Sequence, residues 1–294
     1  MIKVNFFVVF LFFLTGCSES LYDLNGKEQQ EVLASAISDV THSDTQKQLA
    51  GNNIIWHWEN RFEKEEVYKI KKWLGEIDNA IVSSFGKYPF DVHFFVHRAK
   101  SGNEPVPWAH TTRGKDQGVH LHVNTNFSLD EFLNDWTAQH EISHLSIPFV
   151  GKENSWFSEG YATYMQVQVM NKQGVMTNAE VDKKYALKLL NCKKAFQSNL
   201  PLPEAADSLK NAWNYPAMYW GGVSFFWKLN RAYKENEGYS LVQVINQYVS
   251  CCRVDDSSPT AICKSFDEVT KTSHASKLLL DYQKQPARLM FEEF

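Results

Sequence analysis

The chain has little charge of one sign to spare. Its 30 Lys and Arg stand against 34 Asp and Glu, a formal net charge of −4 over 294 residues. Binding to nucleic acid needs a basic excess that neutralises phosphates, so nucleic acid is excluded as a partner. No 20-residue period and no low-complexity tract appears, which sets aside repeat architectures. Cysteine is sparse at five, and no two cysteines have the two-residue spacing of cysteine-rich metal sites. Beyond Leu14 no apolar run is long enough to cross a bilayer. What is present is core material: 44% hydrophobic and 14% aromatic residues, nine Trp among them, against 22% charged. That balance excludes a disordered chain and supports one large domain or two modest ones.

Lys3, followed by the almost continuously apolar Val4 to Leu14, reads as a targeting signal. The run ends in Leu14-Thr15-Gly16-Cys17, which resembles the bacterial lipobox. The resemblance implies that residues 1–16 are a lipoprotein signal peptide and that the Cys17 thiol carries a diacylglycerol. The protein would then be held at the cell-envelope membrane by lipid alone. Ser18 after Cys17, rather than Asp, points to the periplasmic face of the outer membrane. Ordinary secretion with Cys17 incidental is the alternative. Residues 17–53 are polar and expected to form a tether, with one short helix near Glu28 to Val40. Cys192, Cys251, Cys252 and Cys263 would meet an oxidising compartment and staple the C-terminal helices. Three connectivities are open, and the adjacent pair Cys251-Cys252 is the most strained.

Globular patterning starts at Ile54-Ile55-Trp56-His57-Trp58. Val67, Ile70, Trp73, Leu74, Ile77 and Ile81 follow in steps of three and four, one face of a long helix over Phe62 to Phe85. Gly86 and Pro89 stop it. Phe90 to Val96 and Val119 to Val123 read as strands, with Ser101 to Gly118 a loop between them. His93, His97, His110, His120 and His122 alternate as one face of that sheet, and His110, His120 or His122 could line a cleft. Ser128 with Glu131 forms a capping box that opens a helix through about Leu145. Further helices are expected from Asn154 or Ser155 to Gly174, after Thr177 with Glu180, from Pro216 onward, and after Ser265 with Glu268. Strands and a helix first, then helices alone, argue an α+β fold.

The chemistry concentrates in His140-Glu141-Ile142-Ser143-His144. A spacing of four puts both imidazoles on one face of a helix, one turn apart, where they reach one tetrahedral Zn2+. Glu141 is rotated toward the open side of the metal, where it takes a proton from water. The next helix opens with Trp156-Phe157-Ser158-Glu159-Gly160-Tyr161-Ala162-Thr163-Tyr164, and a short turn brings Glu159 to the same ion as third ligand. Two His and one Glu leave a position open, as in a catalytic rather than a structural zinc site. Thr163 or a nearby carboxylate is a candidate to orient a ligand imidazole.

These two segments resemble the gluzincin metallopeptidases, above all the aminopeptidase N-like branch, whose second motif reads W-L-N-E-G-F-A-x-Y. Tyr219-Trp220-Gly221-Gly222 is similar to the branch's Y-E-K-G, whose Tyr donates to the tetrahedral oxyanion, and the resemblance gives Tyr219 that role. It implies a thermolysin-like zincin fold over residues 54–294: a small N-terminal sheet with the zinc helices in 54–175, then a helical subdomain in 176–294. It also implies a zinc peptidase with Glu141 and Tyr219 catalytic, His140, His144 and Glu159 on the metal, and a peptide or protein as substrate. A catalytically inactive scaffold or binding module of the same fold is the rival reading. Two departures stand out. The stretch between His144 and Glu159 is shorter than in the branch. The G-x-M-E-N motif, whose acid grips a free amine, is absent from its expected place near Gly118 to His122, a strand otherwise suited to pair with an extended substrate.

Overall fold

Alternation along the strands decides which way the sheet faces. In Val92–Arg98 (β3) the side chains of Val92, Phe94 and Val96 are buried, while His93, Phe95 and His97 are half-exposed. Gly118–Val123 (β5) repeats this, with Val119, Leu121 and Val123 buried and His120 and His122 turned the other way. Asn53–Trp58 (β2) buries Ile54 and Trp56 on the same side. With Asp44–Lys47 (β1) and Trp108–Thr112 (β4) these make a five-stranded mixed sheet in the order β1-β2-β3-β5-β4. The three central strands are parallel, in the register Trp56 opposite Phe94 and Val96 opposite Leu121. The edge strands β1 and β4 run antiparallel to their neighbours.

The computed structural model describes residues 44–47, 53–253 and 256–294. The signal segment, Cys17 and the helix expected near Glu28 to Val40 lie outside the described residues. Parallel pairing of β2 and β3 requires a crossover, supplied by the helix Lys64–Phe85 (α1). Its buried face is Ile70, Trp73, Leu74, Ile77, Ile81 and Phe85, and it ends at Gly86. Two short helices follow, Leu129–Asn134 (α2) and Thr137–His144 (α3). The rest are Ser155–Lys172 (α4), Asn178–Lys193 (α5), Leu202–Asn211 (α6), Tyr215–Glu237 (α7), Leu241–Cys251 (α8), Pro259–Thr270 (α9) and His274–Lys284 (α10). The α+β order expected from the patterning is the order observed. No helix among the described residues is long and apolar enough to cross a membrane.

Several local expectations are corrected. The stretch Ser101 to Gly118 is not all loop, because β4 forms within it and takes the sheet edge. As a result β5 is paired on both sides and has no free edge to offer a substrate. The segment read as a tether contributes β1 to the sheet. The helix expected from Ser128 to Leu145 breaks at Asp135, whose carboxylate accepts from the Thr137 backbone N–H at 2.8 Å and so starts α3. Ser258, not Ser265, caps α9, and Ser265 lies inside that helix. The adjacent cysteines Cys251 and Cys252 form a disulfide at the end of α8. Cys192 and Cys263 remain buried free thiols on separate helices, each shut into the core away from a partner.

Candidate metal centre

The zinc helix expected from the sequence is α3, and it is tied down at both ends. Its last carbonyls lie beyond the regular helical bonds, and Ile142 O and His144 O accept from the backbone N–H groups of Leu145 and Ile147 in the closing turn. Three distant side chains add to these. The Tyr88 hydroxyl donates to Ile142 O at 2.9 Å, Arg113 Nη2 to His144 O at 2.6 Å, and Arg253 Nε to Leu145 O at 2.8 Å. His140 and His144 are only 3% and 8% exposed, with their rings perpendicular and 4.9 Å apart between centroids.

Glu159 meets them from the first turns of α4. Its Oε2 lies 3.1 Å from His140 Nε2 and 3.5 Å from His144 Nε2. Burial works against ionisation of this carboxyl, yet the two imidazoles outweigh it and hold Glu159 well below the ordinary carboxylate range. For His144, burial alone would favour the neutral ring, but Glu159 and Glu141 carry it above its ordinary value.

The close approach of Glu159 depends on two glycines. Gly160 of α4 and Gly222 of α7 face each other so tightly that a Cβ on either would overlap backbone of the opposite helix, Trp156 O in the case of Gly222. Gly160 follows Glu159 directly, and Gly222 lies one turn after Tyr219, so the crossing places both functional side chains together. The Tyr219 ring stacks on His140 at 5.8 Å and 16°, and burial followed by Glu159 and Glu141 pushes its phenol above the ordinary range.

The donor set suits a metal ion. Ligand atoms of His140, His144 and Glu159 all fall within 4.8 Å of one another. A tetrahedral ion with ligands at roughly 2.0 Å has ligand-to-ligand edges of about 3.3 Å. The two Nε2–Oε2 separations bracket that value, and two imidazoles with one carboxylate is a set that borderline divalent ions accept. Thr163 makes no hydrogen bond to either imidazole; its hydroxyl and His140 Nδ1 are both enclosed without a partner.

Glu141 points into the same cleft, a hollow of about 260 Å³ bordered by Thr111, Arg113, His144, Phe149, Glu159 and Tyr219. Thr111 Oγ1, on the edge strand β4, lies 2.9 Å from Glu141 Oε2 and 2.9 Å from its backbone carbonyl. Of the sheet histidines only His110 borders this cleft, and none joins the metal-ligand cluster. A larger hollow of about 480 Å³ near Gln168, Tyr185 and Trp227 contains none of these residues, so size does not mark the site. The structure therefore brings together all five residues singled out around the metal motif. Thr111, Arg113, Tyr88 and Arg253 were missed. Thr111 and Arg113 lay in a stretch read as loop, and Tyr88 and Arg253 reach α3 across 54 and 108 residues of sequence.

No protein-family model and no curated protein matches this chain. Solved structures do. A mutant M1 zinc metallopeptidase from Deinococcus radiodurans, bound to a Tyr-Ser-Ala substrate, is similar over 83% of this chain at 15% identity, with a TM-score of 0.51. An aminopeptidase N family protein from Idiomarina loihiensis is similar over 83% of this chain at 14% identity, with a TM-score of 0.55. This chain spans 52% and 47% of those proteins, about half of each. At that identity the likeness is one of fold: the chain shares the fold of these zinc metallopeptidase structures.

Proposed function

We propose that the protein is a zinc-dependent peptide hydrolase. The observation that carries the reading is Glu141: a carboxylate anchored by Thr111, beside three converging metal donors, at the mouth of one cleft. A binding module has no need of a base so placed. The bound Tyr-Ser-Ala of the structural neighbour supports a peptide as the ligand class.

His140, His144 and Glu159 would hold the zinc. When bound, that ion supplies Lewis-acid polarisation of a carbonyl and acidifies water. Glu141 accepts the proton of the attacking water and delivers it to the departing nitrogen. Thr111 fixes the rotamer in which Glu141 does so. Tyr219 donates its hydroxyl to the oxyanion that develops as the carbonyl carbon becomes tetrahedral, and its half-buried, raised phenol keeps that proton available. The lipobox-like Leu14 to Cys17 adds a lipid anchor in the cell envelope, with the periplasmic face of the outer membrane as the site of action.

The test is Glu141→Gln. The variant should bind about one zinc per chain, as wild type does, while peptide hydrolysis falls by about 10²–10⁴-fold, the worth of a positioned base. Equal hydrolysis by wild type and variant would remove the enzyme reading. For the anchor, Cys17→Ser should abolish incorporation of labelled fatty acid, and normal membrane retention of that variant would count against it.

A further inference from the structure

We propose that Arg113 makes this cleft select peptides that present a carboxylate close to the reacting bond. The proposal rests on the peptidase reading and names its substrate class.

The argument begins with the carboxylates of the cleft. Two line it, Glu159 and Glu141. Glu159 is committed to the two imidazoles and Glu141 to Thr111. Among the described residues no third acid borders the hollow, so a substrate's free amine meets no uncommitted counter-charge there. A free carboxylate does. Arg113 follows Thr111 by two residues, which in an extended chain returns it to the same side, and it borders the cleft with Glu141, His144 and Tyr219.

Its guanidinium is only partly used. Nη2 donates to the His144 carbonyl at 2.6 Å, whereas Nη1 is enclosed without a partner. A buried cationic donor left unpaired is costly, more so than a neutral one. Neither Arg113 nor the neighbouring Arg253 forms an ion pair with a carboxylate among the described residues. Arg253, 4% exposed, spends its donors on Leu145 O and Gln117 Oε1 and lies over the Phe90 ring. Arg113 and Arg253 thus stand close enough for their charges to oppose one another, with Glu141 the carboxylate whose charge reaches Arg113. A guanidinium N–H left without a partner is matched by a carboxylate, which accepts a charge-assisted hydrogen bond from it.

Two sources offer that carboxylate: the C-terminus of a short peptide, or an Asp or Glu side chain. The experiment separates them. Paired peptides are cleaved by the zinc-loaded protein, one set differing only in a free or amidated C-terminus, another in Asp or Asn and Glu or Gln around the scissile bond. The expected result is a preference of about tenfold to a hundredfold in kcat/KM for the acid in one set, the range of a charge-assisted hydrogen bond. Arg113→Gln should reduce that ratio to near unity, and Arg113→Lys, which keeps the charge but not the fork, should leave an intermediate ratio. Equal cleavage of acid and neutral partners in both sets by wild type overturns the proposal and leaves the peptidase reading standing. So does an acid preference that survives Arg113→Gln unchanged. If wild type cleaves no peptide, the peptidase reading fails. Calorimetric titration of the same pairs into Glu141→Gln protein then judges Arg113 alone, with tighter binding of the acid supporting it and equal binding overturning it. Should neither Arg113 variant fold, the wild-type ratio decides by itself.

Discussion

Two groups of histidines in this molecule show opposite physics. His140 and His144 are buried on one helix and face the Glu159 carboxylate, which completes a set of metal donors with them. His57, His93, His97, His110, His120 and His122 line the other face of the sheet and mostly face one another. His57 and His93 share a hydrogen bond at 2.9 Å, and His97 and His120 another at 3.0 Å. Phe95 stacks between His57 and His120 at 4.3 Å on each side, and His110 stacks on His120 at 4.5 Å. Burial and imidazole neighbours push His120 down to about 4, while Glu159 and Glu141 carry His144 the other way. The residue type is the same, and the counter-charge decides whether it serves as a ligand or as packing.

The sharpest way to break this contrast is to delete one histidine from each group. His144→Ala should drop zinc from about one per chain to near none and abolish hydrolysis, since two remaining ligands hold the ion poorly. His120→Phe should keep both, because it preserves the stack and lies outside the cleft. Elemental analysis of the two purified variants reads the difference. Unchanged zinc in His144→Ala would dissolve the distinction.

Tyr219→Phe addresses the first group at smaller cost. Only a hydroxyl is lost and the stack on His140 survives, so zinc content should hold. The catalytic rate should fall about 10²-fold with KM little changed, because a bond to the developing oxyanion is made mainly in the transition state. Steady-state kinetics separates this from a packing role, which would move stability instead.

The contrast also explains what was legible in the sequence. A helical spacing of four announces a shared ligand face locally, and the start of the next helix announces Glu159. The alternation of His93, His97, His120 and His122 announces a sheet face in the same way. Gly160 and Gly222, by contrast, act across two helices, and their meaning appears only once α4 and α7 cross. The edge strands were hidden for another reason. Asp44-Thr45-Gln46-Lys47 and Trp108-Ala109-His110-Thr111-Thr112 carry no aliphatic core set, and they pair through backbone along one side only. Arg253 is invisible from sequence because its partner carbonyl lies far back in the chain.

Gly222→Ala tests the helix crossing that the metal group needs and the sheet group does not. The added methyl meets Trp156 O, and relief requires moving α4 against α7. Stability should fall by about 1–3 kcal/mol, the usual cost of overpacking, with zinc affinity reduced as Glu159 is displaced. Chemical denaturation measures the first, and competition with a chelator the second. A variant as stable as wild type with full zinc affinity would show that the crossing is not what sets the site.

The smallest effect comes from the sheet face itself. Because His120 is pushed down in the folded protein, the unfolded chain binds its proton first as the pH falls. Stability is therefore unaffected above about pH 6.5 and drops between there and about pH 4, where the folded ring is itself protonated and the loss is complete. His57, His97 and His122 are lowered for the same leading reason, burial, and add in the same direction. Glu59 opposes the shift at His57 and His97, and Asp116 opposes it at His57. Solvent reaches this face, so the share of His120 is about 1 kcal/mol rather than the full value of its shift. Urea midpoints of wild type and His120→Phe should diverge below about pH 6.5, with the variant losing less stability in acid. Carboxylates shared by both proteins cancel in that comparison, so parallel curves would mean that the stacked imidazoles carry no proton-linked cost.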